Sequence, residues 1–177
     1  MADDLAADVV AARAGDRAAF ARLYQRFARA VHGVVLARLR PELVADVVQE
    51  VFVVALERLG QLSEPAAFPG WLMAIARNRA TDAGRRRVHA ELVSEPAAAP
   101  TGGPGQRLDA TRVLTALQAL PEAYREPLVL RLVEGLTGPE IAEQTGLTPG
   151  SVRVNLHRGM KLLRAALGLA TLEGSDD

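Results

Sequence analysis

Hydrophobic positions recur at helical spacing from the first residues of this chain. Leu5, Val9 and Ala12 begin the series, and Phe20, Leu23, Tyr24, Phe27, Val31, Val34 and Val35 continue it, so residues 5–40 read as helical. Asp16 suits the cap of a helix starting near Arg17, and Pro41 marks the next break. From Glu42 to Leu59 the β-branched content suggests a strand, but the apolar period is that of a helix. Val47, Val48, Val51, Val54 and Ala55 share one broad face, opposite Asp46, Gln49, Glu50 and Glu57, with Val53 stranded among the polar set. Gly60 ends that helix, Leu62–Gly70 reads as a loop with two prolines, and another helix runs from Gly70 or Trp71 to about Arg87. It opens apolar with Trp71, Leu72 and Ile75. It finishes basic, with Arg77, Arg79, Arg85, Arg86 and Arg87 against Asp82, more charge than a helix C-terminus needs.

Residues 90–106, AELVSEPAAAPTGGPGQ, break the pattern and read as a flexible Pro/Gly-rich linker. They divide the chain into a first helical domain, 1–89, and a second, 107–170, with an acidic tail at 171–177. The second domain offers four helical segments. The first is Asp109–Leu120. The next opens at Pro121–Glu122 and stops at Gly135, with Pro127 expected to kink it or shift its start. Thr137-Gly138-Pro139-Glu140 spells a capping box leading into a short helix closed by Gly146, and Thr148-Pro149 opens a long one to about Leu169. The fold class expected is all-α, two small helical domains with the second a helix-turn-helix four-helix domain.

A short helix, a glycine turn and a longer helix entered through a Thr-Pro cap spell helix-turn-helix across Thr137–Arg164. Ile141, Ala142, Leu147, Val152 and Leu156 are its expected packing residues. Near the start of the last helix Thr148, Ser151, Arg153, Val154, Asn155 and Arg158 offer short polar groups and long donors to a major groove. There Arg reads guanine, Asn reads adenine and a valine face suits a thymine methyl. Lys161, Arg158, Arg164 and His157 suit phosphates or solvent.

Composition changes this picture little. Hydrophobic residues make up 49% but aromatics only 4%, so cores must be built from Leu, Val and Ala. The formal net charge of +0 argues weakly for nucleic acid. Its distribution argues more strongly, because positive charge gathers on the last helix and on Arg77–Arg87. There is no cysteine, so a cytoplasmic setting is the simple expectation. The acidic start MADDLAADVV is unlike a secretory signal, and no apolar run suits membrane insertion. His32, His89 and His157 are scattered, no phosphate loop follows a strand, and no enzyme, metal or cofactor is expected.

Two stretches resemble the extracytoplasmic-function (ECF) sigma factors of the sigma-70 family: DVVQEVFVVALERL (Asp46–Leu59) with FPGWLMAIARNRATDAGRRR (Phe68–Arg87), and Ala119–Leu167. The resemblance implies that the first domain docks on the β′ clamp helices of bacterial RNA polymerase core through the helix of Asp46, Gln49, Glu50, Phe52 and Val53. It implies −10 recognition and melting of promoter DNA by Trp71, Arg77, Asn78 and Arg79, and −35 reading by the last helix. Arg85, Arg86 and Arg87 would contact duplex phosphates. For Trp71 the residue pattern alone favours burial of part of its ring. An anti-sigma factor is the implied regulatory partner. Pro127 and Gly138-Pro139 depart from the family pattern at positions that concern scaffolding. Two other readings remain at this point: a dimeric helix-turn-helix regulator independent of polymerase docking, and a helical protein-interaction adaptor without DNA binding.

Overall fold

The computed structural model describes residues 2–93 and 110–169, and these contain eight α-helices and no strand. They are α1 (Ala2–Arg13), α2 (Arg17–Leu36), α3 (Pro41–Arg58), α4 (Phe68–Val93), α5 (Ala110–Gln118), α6 (Glu122–Leu132), α7 (Gly138–Thr145) and α8 (Pro149–Ala166). Single 3₁₀ turns at Leu59–Gln61 and Pro65–Ala67 join α3 to α4.

The boundaries follow local chemistry. Asp16 caps α2, its carboxylate accepting from the Ala18 and Ala19 amides at 2.8 and 3.2 Å. Pro41 opens α3, where its missing N–H costs nothing. Two expectations need correction. The helix expected from Gly70 or Trp71 begins at Phe68 and continues to Val93, so residues 90–93 of the expected linker are helical. Ala90 to Val93 are ordinary helix residues, and Pro96 is the first residue that forbids continuation. Pro127 does not shift the start of α6, which runs through it from Glu122 to Leu132. An interior proline costs roughly 3 kcal/mol of helix stability. Here it lies in a wholly buried stretch, Glu126–Leu130, whose packing holds the segment in place. Residues 94–109 and the acidic tail fall outside the described residues.

Helix α2 is the hub. It packs against α1, α3 and α4, and its Phe27 meets Phe68 of α4 edge-on with ring centroids 5.3 Å apart. Its far side meets α6. Gly33 makes that approach possible, since a Cβ there would stand 2.6 Å from Leu130 Cδ2 and 2.9 Å from Glu134 Cγ. Gly159 does the same on the other side of α6, where α8 crosses beside Tyr124 and Leu128. The end of α7 rests on the start of α4, with Gly146 against the Gly70 backbone. The two halves of the chain therefore share one continuous apolar core.

Candidate nucleic-acid interface

The sequence signals of the helix-turn-helix are realised as hydrogen bonds. Thr137 and Glu140 form a reciprocal capping box: the Thr137 amide donates to the Glu140 carboxylate at 2.7 Å, and the Glu140 amide donates to Thr137 Oγ1 at 3.4 Å. Those bonds from Thr137 hold the Glu140 carboxyl below its usual range. Gly146 ends α7 at φ +75°, a left-handed conformation that glycine takes without strain. Thr148 caps α8 by accepting from the Ser151 amide at 3.2 Å. Ile141, Ala142 and Val152 are buried between the two helices, and Leu147 and Leu156 are half-buried.

Burial divides α8 cleanly. Val152, Leu156, Gly159 and Leu163 form its inner stripe. Ser151, Val154, His157, Arg158 and Lys161 are exposed on the opposite side. Helical geometry puts Arg153 and Arg164 along one border of that outer face and half-buried Asn155 along the other. Arg153, Arg158, Lys161 and Arg164 make no hydrogen bond or ion pair with the rest of the described protein. Four unpaired cations beside an exposed valine and two short polar side chains fit a face that meets phosphates and base edges.

The residues singled out in the first half are divided among three environments. Asn78, Arg79 and Arg85 of α4 line a cleft of about 410 Å³ with Ile75, Asp82 and, from α3, Val54 and Arg58. Arg58 was missed in the sequence, where it reads only as a base in the last turn of α3. Nothing there shows that it joins three α4 residues across a groove. Arg77 points elsewhere. Its Nε and Nη2 donate to Glu126 of α6 at 2.9 and 2.6 Å, a bidentate bond that raises its pKa despite burial. Arg86 lies 3.6 Å from Glu50 of α3, and Arg87 is also engaged within the protein. Trp71 is half-buried, its ring 5.8 Å from that of Phe68.

On α3, Asp46 and Gln49 are exposed, Glu50 is half-exposed, and Val53 and Leu56 stand out at 56% and 53% exposure. Phe52, expected on this surface, is instead 5% exposed and packed against Tyr24, the rings tilted by 51° with centroids 4.5 Å apart. It falls on the valine side of the helix, so it supports the face from beneath.

Glu126 is the other residue the sequence did not reveal. It is 4% exposed and sits between Arg77 of α4 and Arg38, which follows α2, the latter at 3.0 Å. Arg38 also pairs with Glu122, which lowers the Glu122 pKa. Gln118 of α5 donates from Nε2 to the carbonyls of Leu36 and Leu39 at 2.7 and 2.8 Å, satisfying acceptors left open at the end of α2. Beside this cluster, Arg38, Arg85, His89, Glu122 and Arg125 line a second cleft of about 560 Å³. Burial and the nearby Arg38 lower the pKa of Arg125. A glutamate three and four residues before the buried Val129 and Leu130 was the available sequence clue.

Comparison with known proteins covers both halves. Residues 23–89 match the family model described as Sigma-70 region 2, and residues 110–163 match Sigma-70, region 4. The chain is 35% identical over 167 residues to RNA polymerase sigma factor CarQ of Myxococcus xanthus, covering 91% of this chain and 96% of that one. It is 36% identical over 179 residues to ECF RNA polymerase sigma factor SigD of Mycobacterium tuberculosis, covering 90% and 82%. Among solved structures it resembles CnrH in complex with the cytosolic domain of CnrY, with a TM-score of 0.63, 26% identity and coverage of 95% and 99%. A sigma factor RpoE from Bartonella quintana, solved with the anti-sigma factor NepR, shares the fold at a TM-score of 0.55 and 19% identity, over 85% of this chain and 96% of that one.

Proposed function

This chain belongs to the ECF group of sigma-70 family RNA polymerase sigma factors, and from that premise we propose how its surfaces divide the work. Helices α1–α4 form the part that docks on the β′ clamp helices of core polymerase. The exposed strip of Asp46, Gln49, Glu50, Val53 and Leu56 supplies the contact, an apolar pair set among acids and an amide. The cleft of Arg58, Asn78, Arg79 and Arg85 takes the melted −10 strand, where a positive track and hydrogen-bonding groups offset the cost of unstacking bases. Helix α8 reads the −35 element, with Arg153 and Asn155 aimed at base edges from its two borders. Ser151, Arg158 and Lys161 hold the backbone.

The observation that carries this reading is the outer face of α8, whose four basic side chains have no partner inside the described protein. The protein works by binding energy rather than by making or breaking bonds. It acts in the cytoplasm with polymerase, and no helix among the described residues is long and apolar enough to cross a membrane. An anti-sigma factor is the proposed regulatory partner, in keeping with the CnrH and RpoE complexes. The family match over both halves leaves the dimeric-regulator and adaptor readings without support.

Run-off transcription with bacterial core polymerase on a promoter library tests the proposal. Specific starts are expected, and they should vanish with Arg153→Ala and Asn155→Ala. Folded protein that yields no core-dependent starts refutes it.

A further inference from the structure

Helix α4 turns two parallel rows of residues toward the cleft that it shares with α6 and the end of α2. Ala80, Gly84 and Val88 follow one another at every fourth position and form an apolar row. Ala80 is buried and Val88 exposed, so this row runs from the floor of the cleft to its mouth. Thr81, Arg85 and His89 form a second row at the same spacing, all three exposed. Across from them stand Arg38, Glu122 and Arg125.

The charges of this cleft do not balance. Arg38 is taken up by Glu122 and Glu126 and its side chain is 8% exposed, so it lends field rather than a free donor. Arg85 and His89 make no hydrogen bond or ion pair among the described residues. Arg125 donates from Nη1 to the Gln118 carbonyl at 2.9 Å, while its Nε is buried with no acceptor among the described residues. Burial and Arg38 together hold the Arg125 pKa below the ordinary arginine range. An anion in the cleft would offset that repulsion.

Packing does not demand the open space. A Cβ at Gly84 would meet only Leu39 Cδ2, at 3.5 Å, which is ordinary contact. Glycine inside a helix lowers its stability relative to alanine, yet a long side chain here would grow into the cleft. The volume of about 560 Å³ lies within the roughly 300–1,000 Å³ of small-molecule sites. The recessed Arg38 stands behind Glu122, whose carboxylate is exposed. A polymer backbone would meet that carboxylate first, whereas a terminal phosphate on a small molecule reaches past it.

We propose that this cleft binds a nucleoside phosphate, with the phosphate held by Arg85, His89 and Arg125 and the flat base laid along Ala80, Gly84 and Val88. Each row supplies one half of such a site. Arginine matches phosphate oxygens through paired N–H donors, and a base takes an apolar wall. The assignment stands on the cleft alone and goes beyond the promoter-binding reading, which makes no use of Arg38, His89 or Arg125. Arg85 borders both clefts, so the variants that separate the two functions leave it in place.

Isothermal titration of the full chain with ADP and with GDP tests the proposal. At least one of them should bind once per chain with a micromolar Kd. The matching nucleoside, which lacks phosphate, and inorganic pyrophosphate, which lacks a base, should each bind about tenfold more weakly or worse. Gly84→Leu fills the cleft while improving helix propensity, and Arg125→Gln removes a charge. Each should weaken binding by about tenfold or more at unchanged far-UV helicity. Arg17→Ala, at the other end of α2 from Arg38, should leave the affinity as it is. Failure of both nucleotides to bind overturns the proposal. So do pyrophosphate binding as tight as the nucleotide, its displacement by a DNA strand without terminal phosphates, full affinity in the folded variants, or loss of affinity in Arg17→Ala. If Arg125→Gln loses helicity, Gly84→Leu decides alone.

Discussion

The two basic surfaces of this protein are made of the same residue type and stand in opposite states. On α8 every arginine and the lysine is exposed and, among the described residues, unpaired. On α4 the arginines are distributed: Arg79 and Arg85 line a cleft, Arg77 is locked to Glu126, Arg86 lies near Glu50 and Arg87 is engaged. The difference comes from what each helix packs against. Helix α8 turns one narrow apolar stripe to α6 and α7, and among the described residues none pairs with the charged side chains of its outer side. Helix α4 packs against α2, α3 and α7 and comes within reach of α6, so its charged positions meet carboxylates of α3 and α6. A run of arginines in a sequence therefore measures potential for binding phosphate, and the tertiary surroundings decide how much is available.

The sharpest way to break this comparison is to remove arginines from each surface and measure duplex binding against salt. Arg153→Ala with Arg158→Ala should weaken binding by roughly 1–3 kcal/mol for each base edge no longer read. The slope of log K against log salt should fall by about 0.9 for each phosphate no longer neutralised. Arg86→Ala should change it far less, because its long-range pair with Glu50 already competes for the charge, and an exposed pair of this kind contributes at most about 1 kcal/mol to stability. Equal losses from both helices would show that the α4 pairings do not restrain these side chains.

A smaller effect tests whether the α8 surface is preorganised. Thr148→Ala removes the hydroxyl that accepts from the Ser151 amide, and should cost about 1 kcal/mol by thermal or urea unfolding. A weaker affinity for duplex DNA should accompany it, because Ser151 lies in the first turn of the reading face. Full affinity in a destabilised protein would mean that DNA itself orders that turn.

The smallest effect concerns acid. Glu122 has its pKa lowered by its hydrogen bond to Arg38, and Glu140 by its bonds to Thr137. A depressed native pKa gives stability that is fully present above the unfolded carboxylate range and lost as pH falls through the lower native value. The Arg38–Glu122 contact and the helix-turn-helix cap should thus be at full strength above the ordinary carboxylate range near pH 4.5 and weaken progressively as pH falls through that range towards the lower native values. Carboxyl titration followed by NMR checks this; native values for Glu122 and Glu140 at or above the ordinary range would contradict it.

Much of the architecture was legible in local patterns. The capping box at Thr137–Glu140, the left-handed Gly146, the Thr148-Pro149 entry and the Asp16 cap are each complete within four residues, so the sequence names both partners. The outer face of α8 was legible for the same reason, since helical periodicity alone separates Val152, Leu156 and Leu163 from Ser151, Val154 and Arg158. The resemblance to sigma factors rested on such stretches, and the family matches agree with it. What the chain order could not show was every feature needing two distant segments. The partnership of Glu126 with Arg38 and Arg77, the seat of Leu130 over Gly33 and the arrival of Arg58 in the α4 cleft each join residues tens of positions apart. The burial of Phe52 and the survival of α6 through Pro127 belong with them. Periodicity fixes which side of a helix is apolar, but the depth of burial and the charge of the facing helix exist only after packing. By itself the sequence determined the helices, their caps and the outer face of α8, and the tertiary structure alone decided which of the arginines are left without a partner among the described residues.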